Sequence, residues 1–354
     1  MARGEGGRLV YADLLRVAAT LAVVILHLSG GWISEVPVAS GAWRVFNVYD
    51  GLTRWCVPVF VMLSGMFLLD PKKSLSYRSL FFRQILRIVV ALVVWSVVYR
   101  LFALFLNGTP LTLSALMQIL RELVWGKLHY HLWFLPMIVG LYLVTPFLRA
   151  FVRGASRSDF HFFFLLVFVF AMLLPTLLRI RPSATLSTWM DKLQLELVLG
   201  YTGYYVLGYY LKTYTLGRIT ELLLYLLGLL GGAVTVWGTE WLSLRSGSSD
   251  FTLYSYFSPT VCAMAVAVFV LFRYLLGMSD ERSRRQQMAG LSAITFGIYL
   301  CHDLFIMLLR HFGISTLSFA PVAAVPALSL LVFLCAAVLA WLLSKIPAVG
   351  RFIT

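Results

Sequence analysis

Three ionisable residues interrupt one apolar segment near the start of the chain. Asp13, Arg16 and His27 lie among residues that are otherwise hydrophobic. An ionisable group inside a membrane-spanning helix costs about 3 kcal/mol on insertion scales, so such groups usually face a cavity or a partner. Arg16 and His27 are separated by almost three helical turns, about 16 Å of axis, and therefore share a face. The imidazole titrates near neutral pH, which suits a general base.

Two interpretations of this stripe remain open. Asp13 lies one turn before Arg16 and can pair with it, so the two residues alone could form an ordinary interfacial ion pair. His27 could likewise bond to a neighbouring carbonyl group. The stripe as a whole favours function, because a buried imidazole far from the ion pair has no anchoring task. We therefore predict that Asp13 and His27 are catalytic residues and that Arg16 binds an anionic substrate.

A pair of arginines stands at the start of a later apolar segment. Arg83 and Arg87 are four residues apart, and two guanidinium groups on one helix face can bind phosphate through forked hydrogen bonds. When the pair is taken alone, the cytoplasmic bias of basic residues explains it better than phosphate binding does. Beside Arg16 at the same depth, the pair predicts a phosphate-binding mouth.

Histidine and aromatic residues cluster in residues 129–136. An aromatic belt at the outer membrane surface accounts for most of this stretch, including Trp133. Two histidines that are two residues apart on a helix point in different directions, so a metal site with two histidines is not expected here. We expect His131 to face a cavity and Trp133 to contact a substrate.

A second polar stripe occurs in the apolar segment near residue 300. Tyr299 and His302 are one turn apart and share a face, and Asp303 follows them. The stripe either binds substrate or holds helices together. The four cysteines fall in apolar segments without metal-ligand spacing, so no metal is expected.

The elements that position these residues follow from composition. Of 354 residues, 60% are hydrophobic and 12% are charged, far from the balance of a soluble domain. Long uncharged runs without alternating polarity predict membrane-spanning helices. We predict an all-α, polytopic membrane protein with a single integral-membrane domain over residues 1–354. Its roughly ten helices lie near residues 10–31, 49–69, 82–106, 131–149, 159–178, 196–212, 217–237, 256–276, 291–311 and 321–345.

The net charge of +14 would suggest nucleic acid binding in a soluble protein. In a membrane protein, basic residues gather on cytoplasmic loops instead. An N-terminus inside the cell places about 17 basic residues on the inner side and about 9 on the outer side. We therefore expect both termini in the cytoplasm, contacts with membrane lipids and no nucleic acid partner.

Two smaller features concern packing. Residues 112–125 carry apolar side chains on one side and predict a helix that lies on the outer interface. The Ser64-Gly65 pair predicts a close approach of two helices, since small residues let helix backbones come together in membranes.

Several of these segments resemble the acyltransferase-3 family of membrane acyltransferases, and together they span most of the chain. The most specific piece is Asp13-Leu14-Leu15-Arg16 with His27 after ten intervening residues. The other pieces are the runs at residues 57–65, 131–135 and 297–302. The resemblance implies about ten helices, a cytoplasmic acetyl-CoA donor, and O-acylation of an envelope glycan or its lipid-linked precursor at a bacterial inner membrane.

The family's motif residues map onto particular positions of this chain. Its motif histidine corresponds to His27 and its motif arginine to Arg16. The arginines at the start of its third helix appear as Arg83 and Arg87, one residue further apart than is usual. By resemblance, Arg16, Arg83 and Arg87 bind the phosphates of coenzyme A.

Resemblance and residue chemistry combine in one hypothesis. His27 deprotonates an acceptor hydroxyl that attacks the thioester, or His27 itself is transiently acylated. His131, Trp133, Tyr299 and His302 bind the acceptor or stabilise the oxyanion. A transporter or flippase of a polar or lipid-linked substrate is the alternative, since it also needs intramembrane ionisable groups. A purely structural subunit leaves the first-helix stripe unexplained.

Overall fold

The fold is described from a computed structural model for residues 9–195, 199–275, 286–347 and 350–353. All regular structure among these residues is helical. Within these described ranges, eight helical stretches are long and apolar enough to cross a membrane. They are Val10–Ile33, Gly41–Leu68, Tyr77–Leu106, Tyr130–Gly154, Arg157–Ile180, Arg218–Ser246, Thr252–Tyr274 and Pro321–Ser344. The prediction of an all-α, polytopic membrane protein is thereby confirmed.

Two of the ten predicted segments contain shorter helices. Residues 196–212 contribute the 12-residue helix Thr202–Thr213, and residues 291–311 contribute the 17-residue helix Thr295–His311. At 1.5 Å per residue these helices are about 18 and about 26 Å long, less than the roughly 30 Å of a hydrocarbon core. By length and composition alone, these two helices are therefore not assigned as membrane-spanning.

The α-helices of more than one turn are numbered here in chain order. They are α1 (Val10–Ile33), α2 (Gly41–Thr53), α3 (Cys56–Leu68), α4 (Leu86–Leu106), α5 (Leu113–Val124), α6 (Phe134–Gly154), α7 (Arg157–Leu166), α8 (Leu174–Ile180), α9 (Ala184–Leu193), α10 (Thr202–Thr213), α11 (Arg218–Ser246), α12 (Pro259–Tyr274), α13 (Gln286–Ala293), α14 (Thr295–His311), α15 (Pro321–Ser344) and α16 (Gly350–Ile353).

The chain contacts form two compact units. Unit 1 comprises residues 1–70 and 154–293, and unit 2 comprises residues 71–153 and 294–354. In unit 1, α1 packs against α2, α3, α12 and α13, while α11 packs along α12. In unit 2, α14 packs against α4 and α15, and α4 also contacts α5 and α16. Each unit therefore holds part of the predicted site: α1 belongs to unit 1 and α14 to unit 2.

The predicted interfacial helix is present in unit 2 as α5. The hydroxyl of Thr112 accepts a hydrogen bond from the Ala115 backbone N–H at 3.2 Å and so caps the helix N-terminus. Its apolar side chains at Leu113, Leu120 and Val124 are exposed on the protein surface. An exposed apolar face of this kind suits contact with lipid.

Orientation in the membrane stays a prediction. Five of the basic residues assigned to the cytoplasmic side lie outside the described residues, namely Arg3, Arg8, Arg282, Arg284 and Arg285. Within unit 1, the Lys212 ammonium group contacts the Asp70 carboxylate at 2.7 Å. This ion pair joins the ends of α3 and α10, two of the points where we expect the chain to meet the cytoplasm.

A close helix contact in unit 1 lies between α3 and α10. A Cβ built on Gly65 would fall 1.8 Å from the backbone oxygen of Tyr205, and one built on Gly208 would fall 1.9 Å from that of Met62. The two backbones therefore touch through a glycine on each helix, as small residues permit in membranes. The close approach predicted at Gly65 is confirmed, whereas Gly208 was not singled out from the sequence.

Gly65→Ala and Gly208→Ala should each destabilise the protein by at least about 2 kcal/mol, because the new methyl group meets rigid backbone and the helices must separate. Unfolding of the purified protein in detergent, followed by heat or denaturant, measures the effect. Gly140→Ala in α6 is the matched control, since no atom lies within 4 Å of its built Cβ. The control should be neutral or stabilising by up to about 1 kcal/mol through helix propensity. Equal stability of all three variants would contradict the packing described.

Candidate active site

Helix α1 is continuous from Val10 to Ile33, so the spacing that the sequence predicted is preserved. Arg16 and His27 therefore lie on one face of a single helix, about 16 Å apart along its axis. The side chain of Arg16 is 30% exposed, and His27 is half-buried. Both side chains therefore belong to an apolar helix, yet neither is fully buried.

Asp13 holds Arg16 in place through a three-residue network in unit 1. The guanidinium Nη1 of Arg16 donates to Asp13 Oδ1 at 3.2 Å and to the Ser292 hydroxyl at 3.0 Å. The Ser292 hydroxyl donates in turn to Asp13 Oδ1 at 2.7 Å. Asp13 is buried and lies about 21 Å from His27 along the helix axis. Asp13 therefore orients Arg16 and is too far along α1 to contact His27. The catalytic role predicted for Asp13 can thus act only through Arg16 or Ser292.

A buried ion pair of unit 1 approaches α1 one turn beyond His27. The carboxylate of Asp50 in α2 lies 2.9 Å from the position that a Cβ on Gly30 would occupy. Residues three apart share a helix face, so Asp50 lies along the same side of α1 as His27. The Arg54 guanidinium pairs with this carboxylate at 2.7 Å and stacks 4.4 Å from the ring centre of Tyr254.

The two predicted phosphate-binding arginines of unit 2 differ in environment. Residues Leu80–Ile85 form a π-helix just before α4, and Arg83 lies in it with an exposed side chain. Arg87 is half-buried, with its guanidinium 5.1 Å from the ring centre of Phe296. π-Helical turns recur at functional sites, and nothing local in the sequence signalled this one. Since Arg16 belongs to unit 1, a shared phosphate mouth stays a prediction.

His129 and His131 lie close together in unit 2, contrary to the expectation that they point apart. His129 has extended backbone angles, and a 3₁₀ turn over Tyr130–Trp133 follows it. The expectation assumed that both histidines lie in one α-helix. Because His129 precedes a 3₁₀ turn instead, the two side chains can lie on the same side. The two imidazole rings are 5.2 Å apart and nearly perpendicular.

Asp303 of α14 joins this imidazole cluster. Its Oδ2 lies 2.5 Å from His129 Nε2, and its Oδ1 accepts a hydrogen bond from the Tyr130 hydroxyl at 2.6 Å. The carboxylate is almost fully buried in an otherwise apolar helix. Burial of a carboxylate is costly unless it is paired and hydrogen-bonded, and these two contacts provide the pairing.

Three of the four predicted substrate-binding residues meet in the same cluster. The His131 and His302 rings are 5.0 Å apart, and both side chains are buried. The Tyr299 hydroxyl donates to the His131 backbone oxygen at 2.6 Å, and His302 Nδ1 bonds to the Tyr299 backbone oxygen at 2.7 Å. Trp133, the fourth residue, is 37% exposed and packs edge-to-face on Phe134 at 6.3 Å.

A small surface pocket reaches the cluster at His129. The ring of Tyr99 stacks on His129 at 4.1 Å, and its hydroxyl donates to the Leu300 backbone oxygen at 2.8 Å. Arg100 and Glu122, an ion pair at 2.7 Å, line the pocket together with Lys127 and His129. His129 is 23% exposed there, so the cluster is accessible from the surface of unit 2.

Sequence reasoning missed several residues that the structure places in these networks. The signal for Asp50 and Arg54 was present, because opposite charges four residues apart in an apolar segment can pair on one helix. Ser292 and Tyr99 gave no local signal, since their partners Asp13 and Leu300 lie far away in the sequence.

Asp50→Ala should destabilise the protein by about 3 kcal/mol, because it leaves the Arg54 guanidinium, only 19% exposed, without its carboxylate. The matched control is Glu240→Ala, which removes the carboxylate opposite Arg44, a guanidinium that is 58% exposed. The control should cost less than about 1 kcal/mol. The two variants are compared by their unfolding midpoints in detergent. An equal loss of stability in both variants would contradict the burial of the Asp50–Arg54 pair.

Comparison with known proteins shows the family of the chain. No curated protein and no solved structure matches the chain. A protein-family model described as an acyltransferase domain matches residues 9–343. The match includes α1 and α14, and thus both the Arg16–His27 stripe and the imidazole cluster. The chain therefore belongs to the acyltransferase-3 family, and it is a membrane acyltransferase.

Proposed function

We propose that this acyltransferase transfers an acetyl group from cytoplasmic acetyl-CoA to a hydroxyl of an envelope glycan or of its lipid-linked precursor. The observation that carries the proposal is the Arg16 guanidinium, held by Asp13 and Ser292 on the helix face that also presents His27. A fixed guanidinium suits phosphate, and an imidazole suits proton transfer.

The donor end of the site follows from α1. The partly exposed guanidinium of Arg16 would bind a phosphate of coenzyme A, and the pantetheine arm would extend along the helix toward His27. The axial distance of about 16 Å then separates the phosphate site from the reacting thioester. Arg83 is exposed enough to contact a second phosphate, and Arg87 lies one turn further along.

The reaction at His27 is acyl transfer with general-base catalysis. His27 accepts the proton of the acceptor hydroxyl while its oxygen attacks the thioester carbonyl. The tetrahedral intermediate then expels the coenzyme A thiolate, which takes the proton from the imidazolium. The products are an O-acetyl ester and free coenzyme A. A transient acyl-histidine would reach the same products in two steps.

The residues predicted to bind the acceptor belong to unit 2. Trp133 presents an exposed aromatic ring, which suits the apolar face of a sugar. In the imidazole cluster, the buried His131 and His302 and the half-buried Tyr299 would position the acceptor or stabilise the oxyanion. The runs at residues 131–135 and 297–313 resemble the O-acetyltransferase of enterobacterial common antigen, which favours a glycan of that class.

The proposed donor also determines the orientation of the protein in its membrane. A cytoplasmic donor requires that Arg16, near the start of α1, lie at the inner surface. The excess of basic residues on the same side favours a bacterial inner membrane with both termini in the cytoplasm.

His27→Ala should lower acetyl-CoA-dependent acylation by about 10²- to 10⁴-fold, the usual contribution of a general base. Arg16→Ala should chiefly weaken donor binding, with a raised KM for acetyl-CoA and a smaller change in kcat. Transfer of radiolabelled acetyl groups to membrane glycans, and the thermal stabilisation of the purified protein by coenzyme A, measure the two effects.

Controls of the same residue types lie elsewhere in unit 1. His161→Ala removes an imidazole that bonds to the Tyr210 hydroxyl at 2.8 Å, and Arg44→Ala removes an exposed guanidinium. Both controls should keep activity. Full activity of the His27 variant would eliminate the mechanism. Absence of any stabilisation by coenzyme A in the wild-type protein would contradict the proposed donor.

A further inference from the structure

Three side chains of unit 2 present possible metal ligands to one point. The ligand atoms of His129, His131 and Asp303 all lie within 4.8 Å of one another. We propose that these residues bind one divalent transition-metal ion, and that Zn²⁺ matches the donors best. The site goes beyond acyl transfer, and it replaces the expectation from the sequence that the chain holds no metal.

The donor set fits zinc in type and number. Two imidazole nitrogens and one carboxylate oxygen are the ligands of many zinc sites that keep a fourth position open. Bond lengths of about 2.0–2.2 Å put the donors of a tetrahedral ion about 3.3 Å apart. The largest present separation of 4.8 Å closes when each side chain moves by about 1 Å, which small torsion changes allow.

Charge also favours a cation at this point. The Asp303 carboxylate is buried in an apolar helix, and its ion-pair partner among the described residues is the His129 imidazole. An imidazole carries charge only when it is protonated, whereas a divalent ion is charged at every pH. A bound metal ion therefore compensates the buried carboxylate without a proton on His129, which lowers the cost of burial of the carboxylate.

Neighbouring groups hold the three ligands in orientation. The Tyr130 hydroxyl donates to Asp303 Oδ1 and leaves Oδ2 directed at His129. Tyr99 stacks on the His129 ring, and the Tyr299 hydroxyl fixes the backbone of His131. Hydrogen bonds of this kind around metal ligands set ring orientation and metal affinity.

His302 stands beside the three ligands. A carbonyl oxygen can only accept, so His302 Nδ1 carries the proton in its bond to the Tyr299 oxygen. In the neutral ring, Nε2 then keeps its lone pair and can bind a metal. The His302 ring lies 5.0 Å from that of His131, but His302 is not one of the three donors that converge. A water would therefore take the fourth position unless the His302 side chain moves toward the ion.

The small surface pocket at His129 gives one ligand of the site contact with solvent. Its other lining residues include the Arg100–Glu122 ion pair and Lys127. His129 is therefore partly exposed at the protein surface, whereas His131 and Asp303 are buried.

The test is a metal measurement on the purified full-length chain in detergent, with an affinity tag that contains no histidine. The protein is stripped with a chelator, loaded with Zn²⁺, freed of excess ion by gel filtration and analysed by elemental mass spectrometry. We expect about one zinc per chain and a higher melting temperature with Zn²⁺ than after stripping. Co²⁺ in place of Zn²⁺ should give the visible absorption of a tetrahedral site.

Variants assign the ion to these residues. Asp303→Asn keeps the side-chain shape, and His131→Ala removes a donor; each should weaken zinc binding at least about tenfold. His311→Ala in the same helix and His161→Ala in unit 1 are controls that should retain the ion. Less than about a tenth of a zinc per wild-type chain, or equal affinity in Asp303→Asn and wild type, overturns the proposal. Because no readout is acetyl transfer, failure here is distinguishable from failure of the proposed function.

Discussion

The ion pair between Asp13 and Arg16 is the interaction on which the proposed chemistry depends. A lone arginine near the end of a membrane-spanning helix extends toward the membrane surface and samples many positions. Here the buried Asp13 carboxylate and the Ser292 hydroxyl both contact one guanidinium nitrogen, which holds the charge at one depth. Since α1 is unbroken, the helix itself then sets the distance from this charge to His27.

Buried polar groups in this fold have two kinds of partner. Asp13 pairs with Arg16, and Asp50 with Arg54, within about one turn of the same helix. His129 instead pairs with Asp303, 174 residues further along the chain. A local pair can be recognised from residue spacing, whereas a distant pair requires knowledge of which helices pack together.

This difference explains how much the sequence could predict. Hydropathy identified the spanning helices, because a bilayer demands long apolar segments whose backbone bonds are satisfied internally. The Arg16–His27 stripe followed from helical periodicity, and Gly65 from the need for small residues at close contacts. The imidazole cluster could not be predicted, because the relation of His129 to His131 depends on an extended residue and a 3₁₀ turn that no local pattern signalled.

The surroundings of His27 show why a glycine follows it by one turn. At Gly30, any side chain would meet the Asp50 carboxylate at 2.9 Å from its Cβ. The missing side chain lets the Asp50–Arg54 pair approach α1 closely, on the side that carries His27. Along α1, the half-buried imidazole of His27 therefore lies between two ion pairs. The Asp13–Arg16 pair has a partly exposed arginine, and the Asp50–Arg54 pair has a fully buried carboxylate. In the proposed mechanism, the nearby Asp50–Arg54 pair supplies fixed charges of the kind that stabilise charge developing in a transition state.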